Sequence, residues 1–134
     1  LGFNGCNVGL VDERGEIGAV YHGVPQNSVG LMTDIFDGYP KAYGITSAVR
    51  VMSPQIIVCD ELGGNDDCEA VLNSVSTGVK IIASMHGFTE QAILSNKGIR
   101  QLAESGMFEY AAVLEGDTVP GKIKYVKKVV DVIC

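Results

Sequence analysis

Apolar residues in this chain fall into three short and nearly uninterrupted runs, at residues 8–12 (VGLVD), 55–60 (QIIVCD) and 79–85 (VKIIASM). A continuous run rich in β-branched residues is typical of a strand that is buried on both faces. Polar residues follow each run at once, which indicates that each strand ends at the surface. The pattern therefore predicts three central strands of a mainly parallel sheet.

Helical patterns separate these strands. Residues 42–53 and 66–77 both carry apolar residues at helical spacing along one face. Asp66 and Glu69 predict a capping box at the start of the second helix, and Gly78 predicts a left-handed cap after its end. Strands joined through helices are typical of right-handed parallel crossovers. The fold class predicted from this order is α/β, with the sheet flanked by helices.

The remaining segments are less regular. Residues 18–41 are rich in Gly, Pro, Asn and Asp, which predicts a long loop with one short strand. Short helices are predicted over residues 88–94 and 99–105. Residues 109–114 and 122–132 flank a turn that contains Gly and Pro, which predicts a C-terminal β-hairpin.

Acidic residues follow two of the predicted strands directly. Asp12 and Glu13 come after the first strand, and Asp60 and Glu61 come after the second. The carboxyl ends of parallel strands form the edge at which open α/β sheets bind ligands. Carboxylates also collect at strand ends simply because solvent is there. That explanation covers one pair, whereas two pairs at one edge favour a site.

The stretch QIIVCDE has the Walker B pattern of phosphate-binding NTPases. In that pattern the first acid, here Asp60, holds the hydration shell of Mg²⁺, and the second, Glu61, polarises the attacking water. His86 follows the third strand, and we expect it to contact the γ-phosphate or the water, the alternative being a surface histidine. Arg50 is either a phosphate contact or a partner of its helix dipole.

Composition limits the alternatives. The 134 residues suit one domain, and a formal net charge of −6 argues against a broad nucleic-acid-binding surface. No stretch approaches the length of a membrane span. The four cysteines lack CxxC spacing and a nearby histidine pair, so zinc is not expected. Cys59 and Cys68 are interpreted as small buried hydrophobes in a reducing cytosol.

Four blocks of the sequence resemble the stage III sporulation protein AA family, which is similar to the hexameric ATPases of type II and type IV secretion. They are VGLVDERGEIG, GVPQNSVGLMTDIFDGYPKA, VRVMSPQIIVCDELGG and IIASMHG, at residues 8–18, 23–42, 49–64 and 81–87. The resemblance covers nearly the whole chain. It implies a RecA-like P-loop NTPase core, a cytoplasmic place that is peripheral to the membrane, and a role in bacterial endospore formation.

The resemblance also implies a nucleotide site and partners. The expected cofactors are ATP and Mg²⁺, and the expected partners are membrane-embedded subunits of a secretion-like complex and further copies of the chain in a hexamer. Nucleic acid is not an expected partner. The implied site comprises catalytic Glu61, His86 and Glu13, nucleotide-binding Arg14, Arg50 and Gly87, and Asp60 at Mg²⁺ through water.

The sequence also departs from the family pattern. No GxxxxGK[ST] motif occurs in it, so the P-loop strand and helix are expected upstream of residue 1. Residues 1–134 are then one partial RecA-like domain, a C-terminal fragment that binds ATP weakly and is inactive alone. Met32 replaces an arginine of the family, and Gly64, Asn65 and Asp66 stand where a basic residue is common. Two alternatives stay open: a non-catalytic assembly subunit, and a RecA-like module that binds single-stranded nucleic acid.

Overall fold

The structure, a computed structural model, describes residues 1–87, 89–116 and 119–133. The chain divides into two compact units, Leu1–His86 and Gly87–Cys134. The first unit is an α/β structure and the second contains a β-hairpin with short helices. The prediction of one domain over residues 1–134 stays a prediction. In the ranges that the structure describes, no helix combines the length and apolarity that crossing a bilayer requires.

The first unit is built on a four-stranded parallel sheet. Its elements along the chain are a 3₁₀ helix (Gly2–Asn4), β1 (Val8–Asp12), β2 (Val20–Tyr21), β3 (Val24–Pro25), β4 (Thr33–Asp37), α1 (Lys41–Met52), β5 (Ile56–Cys59), α2 (Asn65–Val75) and β6 (Lys80–Ala83). The strand order in the sheet is β4-β1-β5-β6. Helix α1 packs on β1 and β5, and α2 packs on α1 and β6. The predicted parallel sheet with flanking helices is therefore confirmed.

The core of the first unit lies between this sheet and the two helices. Val11, Ile57, Ile45 and Val71 are completely shielded from solvent. Helix α1 lies unusually close to β1, because a Cβ atom at Gly44 would be 2.6 Å from Cγ1 of Val11. Glycine at this position therefore allows the close contact between the helix and the sheet, and it affects how near the first turn of α1 lies to the end of β1.

One sheet strand was not predicted as part of the core. Within residues 18–41 the chain forms the antiparallel hairpin β2–β3 and then β4, which pairs with β1 along five residues in parallel. Strand β4 is an edge strand, and Asp34 and Asp37 on it are exposed. A strand of this kind lacks the continuous apolar run that marks a strand buried on both faces.

The predicted capping box of the second helix is also wrong in its residues. Helix α2 begins at Asn65 with Gly64 as its N-cap. The carboxylate of Asp67 accepts the backbone N–H groups of Gly63 and Gly64, at 3.5 and 3.3 Å. Because the N-cap is Gly64, two residues before Asp66, Asp67 occupies the third helical position that Glu69 was expected to fill.

The second unit contains α3 (Glu90–Leu94), α4 (Lys97–Glu104), β7 (Tyr110–Leu114), β8 (Ile123–Lys128) and α5 (Val130–Ile133). Strands β7 and β8 pair in antiparallel fashion, which confirms the predicted hairpin. The predicted strand over residues 122–132 is too long, because the chain turns into a short helix after Lys128. Phe88 of the predicted helix 88–94, and Asp117 and Thr118 of the predicted turn, lie outside the described residues.

Candidate functional site

The carboxyl ends of β1 and β5 lie side by side, because Val11 is paired with Cys59 in the parallel register. The two acid pairs that follow these strands therefore leave the sheet at the same edge. Strand β6 is the next neighbour, and His86 comes three residues after its end. Charged and titratable side chains meet across this edge, namely Glu13, Arg14, Lys41, Asp60, Glu61 and His86. The structure therefore brings together four of the five residues that were predicted to gather here, the fifth being Asp12, and the roles of these residues stay predictions.

The buried part of this cluster is an ion pair between Asp60 and Lys41. Their side chains are only 5% and 6% exposed, and Nζ of Lys41 lies 2.9 Å from Oδ1 of Asp60. The same ammonium donates a hydrogen bond to the backbone carbonyl of Glu61 and lies 3.7 Å from Oε2 of Glu13. Burial alone lowers the pKa of Lys41, but the adjacent carboxylates outweigh it and raise the pKa, so the amine stays charged.

The hydrogen bonding of Asp60 is incomplete. Its Oδ1 atom is buried and accepts no hydrogen bond from the described residues, although Lys41 is at ion-pair distance. The ammonium is close but not aligned for a hydrogen bond to this oxygen. A buried carboxylate oxygen normally has a donor or a bound ion. Oδ1 therefore retains the capacity to accept one further donor, such as a water molecule.

Glu61 lies in a more open part of the cluster. Its Oε2 atom accepts a hydrogen bond from Nη1 of Arg14 at 3.4 Å and lies 3.9 Å from Nε2 of His86. The side chains of Glu61, Arg14 and His86 are 34%, 64% and 83% exposed. Solvent-exposed pairs contribute roughly 0–1 kcal/mol, so they do not lock Glu61. Its carboxylate remains within reach of solvent water.

Asp12 does not join the charged cluster. Its side chain is fully buried and accepts the backbone N–H groups of Glu16, Ile17 and Gly18, at 2.9, 3.1 and 2.7 Å. The carboxylate thereby folds the following loop back over the end of β1. This loop carries Glu13 and Arg14. Asp12 therefore stabilises the loop that bears two residues of the cluster and is not itself part of the cluster.

Two further predicted site residues are Arg50 and Gly87. Arg50 is exposed in the last turn of α1, nine residues after Lys41 and therefore about 13 Å along the helix axis from it. Its position suits the helix-dipole alternative. Gly87 belongs to the second unit, where an added Cβ atom would overlap with Ile93. Packing accounts for this glycine, and its nucleotide contact stays a prediction.

The fit of a metal ion to these residues is partial. In the part of the chain that the structure describes, no group of three or more His, Cys, Asp or Glu side chains is arranged to hold a metal. Asp60 can offer its unbonded Oδ1 to one water of a hydrated Mg²⁺. The chain therefore supplies one outer contact for such an ion, and the role of Asp60 at Mg²⁺ stays a prediction.

Cys59 immediately precedes the acid pair but does not act as a nucleophile. Its side chain is 2% exposed, and burial raises the pKa of its thiol to about 12, even though the charge of Lys41 acts in the opposite direction. A thiol with this pKa stays protonated at neutral pH and is unreactive. Cys59 is part of the core, as predicted.

The comparison with known families decides what this chain is related to. The family described as "Sporulation stage III, protein AA" matches residues 2–130. The chain belongs to the stage III sporulation protein AA family. One relative is Stage III sporulation protein AA of Bacillus subtilis (strain 168), which is 33% identical over 118 residues. The match covers 88% of this chain and 38% of that protein, so the chain spans little more than a third of its relative's length. No solved structure matches.

Lys41 belongs to the cluster but is not among the site residues that the sequence predicts. It lies in the stretch GYPKAYG, whose glycine spacing does not match a P-loop. A usable signal was nevertheless present, because a lysine in the first turn of a helix opposes the helix dipole. Such a lysine directly after Pro40 needs an acidic partner in space, and the acid pairs at the strand ends were the available ones.

Proposed function

We propose that this chain is the Walker B and sensor half of a RecA-like ATPase that acts in bacterial endospore formation. The observation that carries the proposal is the contrast between adjacent residues at the end of β5. Asp60 is buried beside a cation, and Glu61 is open to water next to Arg14 and His86. Nucleotide hydrolysis requires a fixed first acid near the metal ion and a second acid that water can reach, and this arrangement suits both roles.

In this proposal each residue has a distinct task. Asp60 orients a water molecule in the shell of Mg²⁺, and the metal neutralises phosphate charge when it is bound. Glu61 accepts the proton of the attacking water as general base. His86 contacts the γ-phosphate or that water, and Arg14 and Glu13 shape the approach to Glu61. Arg50 is the weakest member of the proposed site, because it lies in the last turn of α1 and Lys41 lies in the first. A nucleotide contact of Gly87 is supported by the family resemblance alone.

The partners follow from the family. The relative from Bacillus subtilis is named as a stage III sporulation protein, which supports a role in sporulation for this chain too. We propose that the protein works as a hexamer in the cytoplasm, at membrane-embedded subunits of a secretion-like complex. The chain has no GxxxxGK[ST] motif, so ATP binding needs a P-loop from another part of the protein or from a partner.

The test is Glu61→Gln in the protein at its full natural length. Glutamine keeps the shape of the side chain but cannot take the proton, so ATP turnover should fall about 10²–10⁴-fold while Mg-ATP binding is retained. The matched control is Glu69→Gln on the exposed side of α2, which should leave turnover unchanged. Turnover of Glu61→Gln at the parent rate would remove Glu61 from its role.

A non-catalytic assembly subunit is the second candidate. It is favoured by Lys41, which already places a positive charge beside Asp60 without any metal. A parent protein that binds Mg-ATP but shows no turnover, alone or with its partners, would support this candidate and contradict the first.

A further inference from the structure

The position of Lys41 is unfavourable for a lysine on two counts. It is the first residue of α1, where the positive end of the helix dipole repels a cation. Its side chain is also 6% exposed, and lysine is almost never fully buried unless it is paired. Local propensity therefore does not explain this residue, and its contacts must compensate for its position.

Those contacts join three separate elements. The ammonium at the start of α1 reaches the backbone carbonyl of Glu61 and the carboxylate of Asp60 after β5, and the carboxylate of Glu13 after β1. An ammonium has three N–H donors and no acceptor, so one side chain can serve several oxygens at once. Lys41 is thus a common partner for residues that are far apart in the sequence.

The close approach of α1 to the sheet makes this reach possible. Gly44 lies one turn after Lys41 and lets the helix contact Val11 near the end of β1. The first turn of α1 is thereby held at the level where β1 and β5 end. Gly44 and Lys41 therefore act together. The glycine allows the helix to approach the sheet, and the lysine binds residues that follow β1 and β5.

We propose that Lys41 is a positioning residue of this site. By binding the carbonyl of Glu61 together with Asp60 and Glu13, it fixes the backbone from which the Glu61 side chain projects. The carboxylate of Glu61 is then positioned through its own backbone. Its weak pairs with Arg14 and His86 leave the carboxylate accessible to solvent. The catalytic consequence rests on the proposed ATPase function, whereas the tie between Lys41 and the strand ends does not.

The first readout needs no activity. In the full-length protein, Lys41→Met should lower hydrogen-exchange protection of the Leu62 amide, which is bonded to Ser84 directly after the acid pair. Breaking a buried ion pair predicts a loss of roughly 10²–10³-fold in the local opening equilibrium. The matched control is Lys80→Met, because Lys80 is exposed at the other end of the sheet. That variant should leave the Leu62 amide unchanged.

A double-mutant cycle shows whether the loss belongs to the contact with Asp60. The effect of Lys41→Met on Leu62 should be much smaller in an Asp60→Asn background, because the buried charge of Asp60 is then absent. Strict additivity of the two changes would overturn the inference, whatever the enzyme does. This outcome is independent of whether the protein hydrolyses ATP.

The second readout separates a positioning role from a purely structural one. Displacing a catalytic group by about 1 Å can cost on the order of 10² in rate, so Lys41→Met should lower kcat about 10²-fold with little change in the KM for ATP. Lys41→Arg keeps the charge and should recover part of kcat. If the exchange cycle shows coupling to Asp60 but Lys41→Met turns ATP over with the kcat of the parent, the positioning role is overturned. A parent without turnover refutes the proposed function, and the exchange cycle alone then decides whether Lys41 ties the site together.

Discussion

The two neighbouring carboxylates after β5 experience opposite environments. Asp60 is 5% exposed and shares its surroundings with an equally buried ammonium at 2.9 Å. The next residue, Glu61, is 34% exposed, and its neighbours Arg14 and His86 lie at 3.4 and 3.9 Å. Directly after β5, one side chain therefore enters the protein and the next faces solvent.

This difference shows how one short segment can supply both a fixed and an accessible acid. A buried charge is stable only if a partner compensates for its lost hydration, and such a partner also restricts its movement. An exposed carboxylate keeps its hydration and needs no partner. The chain therefore fixes Asp60 through Lys41 and leaves Glu61 free to meet water, which is the division of work that we propose for hydrolysis.

The largest expected effect is on stability at Asp60. Asp60→Ala leaves the ammonium of Lys41 buried without its nearest carboxylate, which should cost about 3–5 kcal/mol in the opening free energy of β5. Glu61→Ala removes only weak surface pairs and should cost about 1 kcal/mol or less. Hydrogen exchange of the β5 amides measures both, with Asp34→Ala on the exposed side of β4 as control. Equal losses at Asp60 and Glu61 would refute the contrast between them.

The sequence was sufficient for the strands that carry a continuous apolar run, although only β1 is buried along its whole length and β5 alternates between buried and half-exposed residues. The runs before Asp12 and Asp60 predicted β1 and β5, and helical crossovers fixed their direction, so the meeting of the two acid pairs followed from topology alone. Strand β4 was not placed in the sheet because its aspartates interrupt the apolar run. Strand β6 is an edge strand with partly exposed residues as well, but its continuous apolar run still predicted it.

The site was predicted less completely than the sheet. Acids next to strand ends could be placed from the sequence because their strands were placed. Lys41 could not, because its role depends on how closely α1 approaches β1, and that distance is set by the contact between Gly44 and Val11. For Arg50 the sequence left two roles open, and its place in the last turn of α1, away from Lys41 in the first turn, suits the helix-dipole role.

Asp12 extends the comparison to a buried carboxylate for which the described residues show no ion pair. Backbone N–H groups donate hydrogen bonds to it, and hydrogen bonds to charged groups contribute roughly 1.5–3 kcal/mol. Asp12→Asn removes the charge and should cost an amount in this range, with faster exchange of the Gly18 amide. The control is Asp37→Asn, because Asp37 is the paired residue on β4 and is exposed. An unchanged Gly18 amide in Asp12→Asn would show that the loop does not depend on this carboxylate.

The smallest expected effect concerns Glu90 in the second unit, a half-buried surface acid whose donors are well placed. Its carboxylate accepts hydrogen bonds from Tyr125 at 2.7 Å and from Lys127 at 3.1 Å, and these bonds lower the pKa of Glu90 from its usual value.

A carboxyl group with a lowered pKa in the folded state stabilises the fold above its unfolded pKa, and this contribution disappears as the pH falls through the folded value. Glu90→Gln should therefore lower the melting temperature slightly at pH 7, and the difference from the parent should shrink as the pH falls and vanish below the lowered pKa that Glu90 has in the folded state. The control is Glu104→Gln, whose ion pair with Arg100 lies on the exposed side of α4. A difference between parent and Glu90→Gln that stays constant from pH 7 to pH 3 would mean that packing, and not the charge of Glu90, joins α3 to β8.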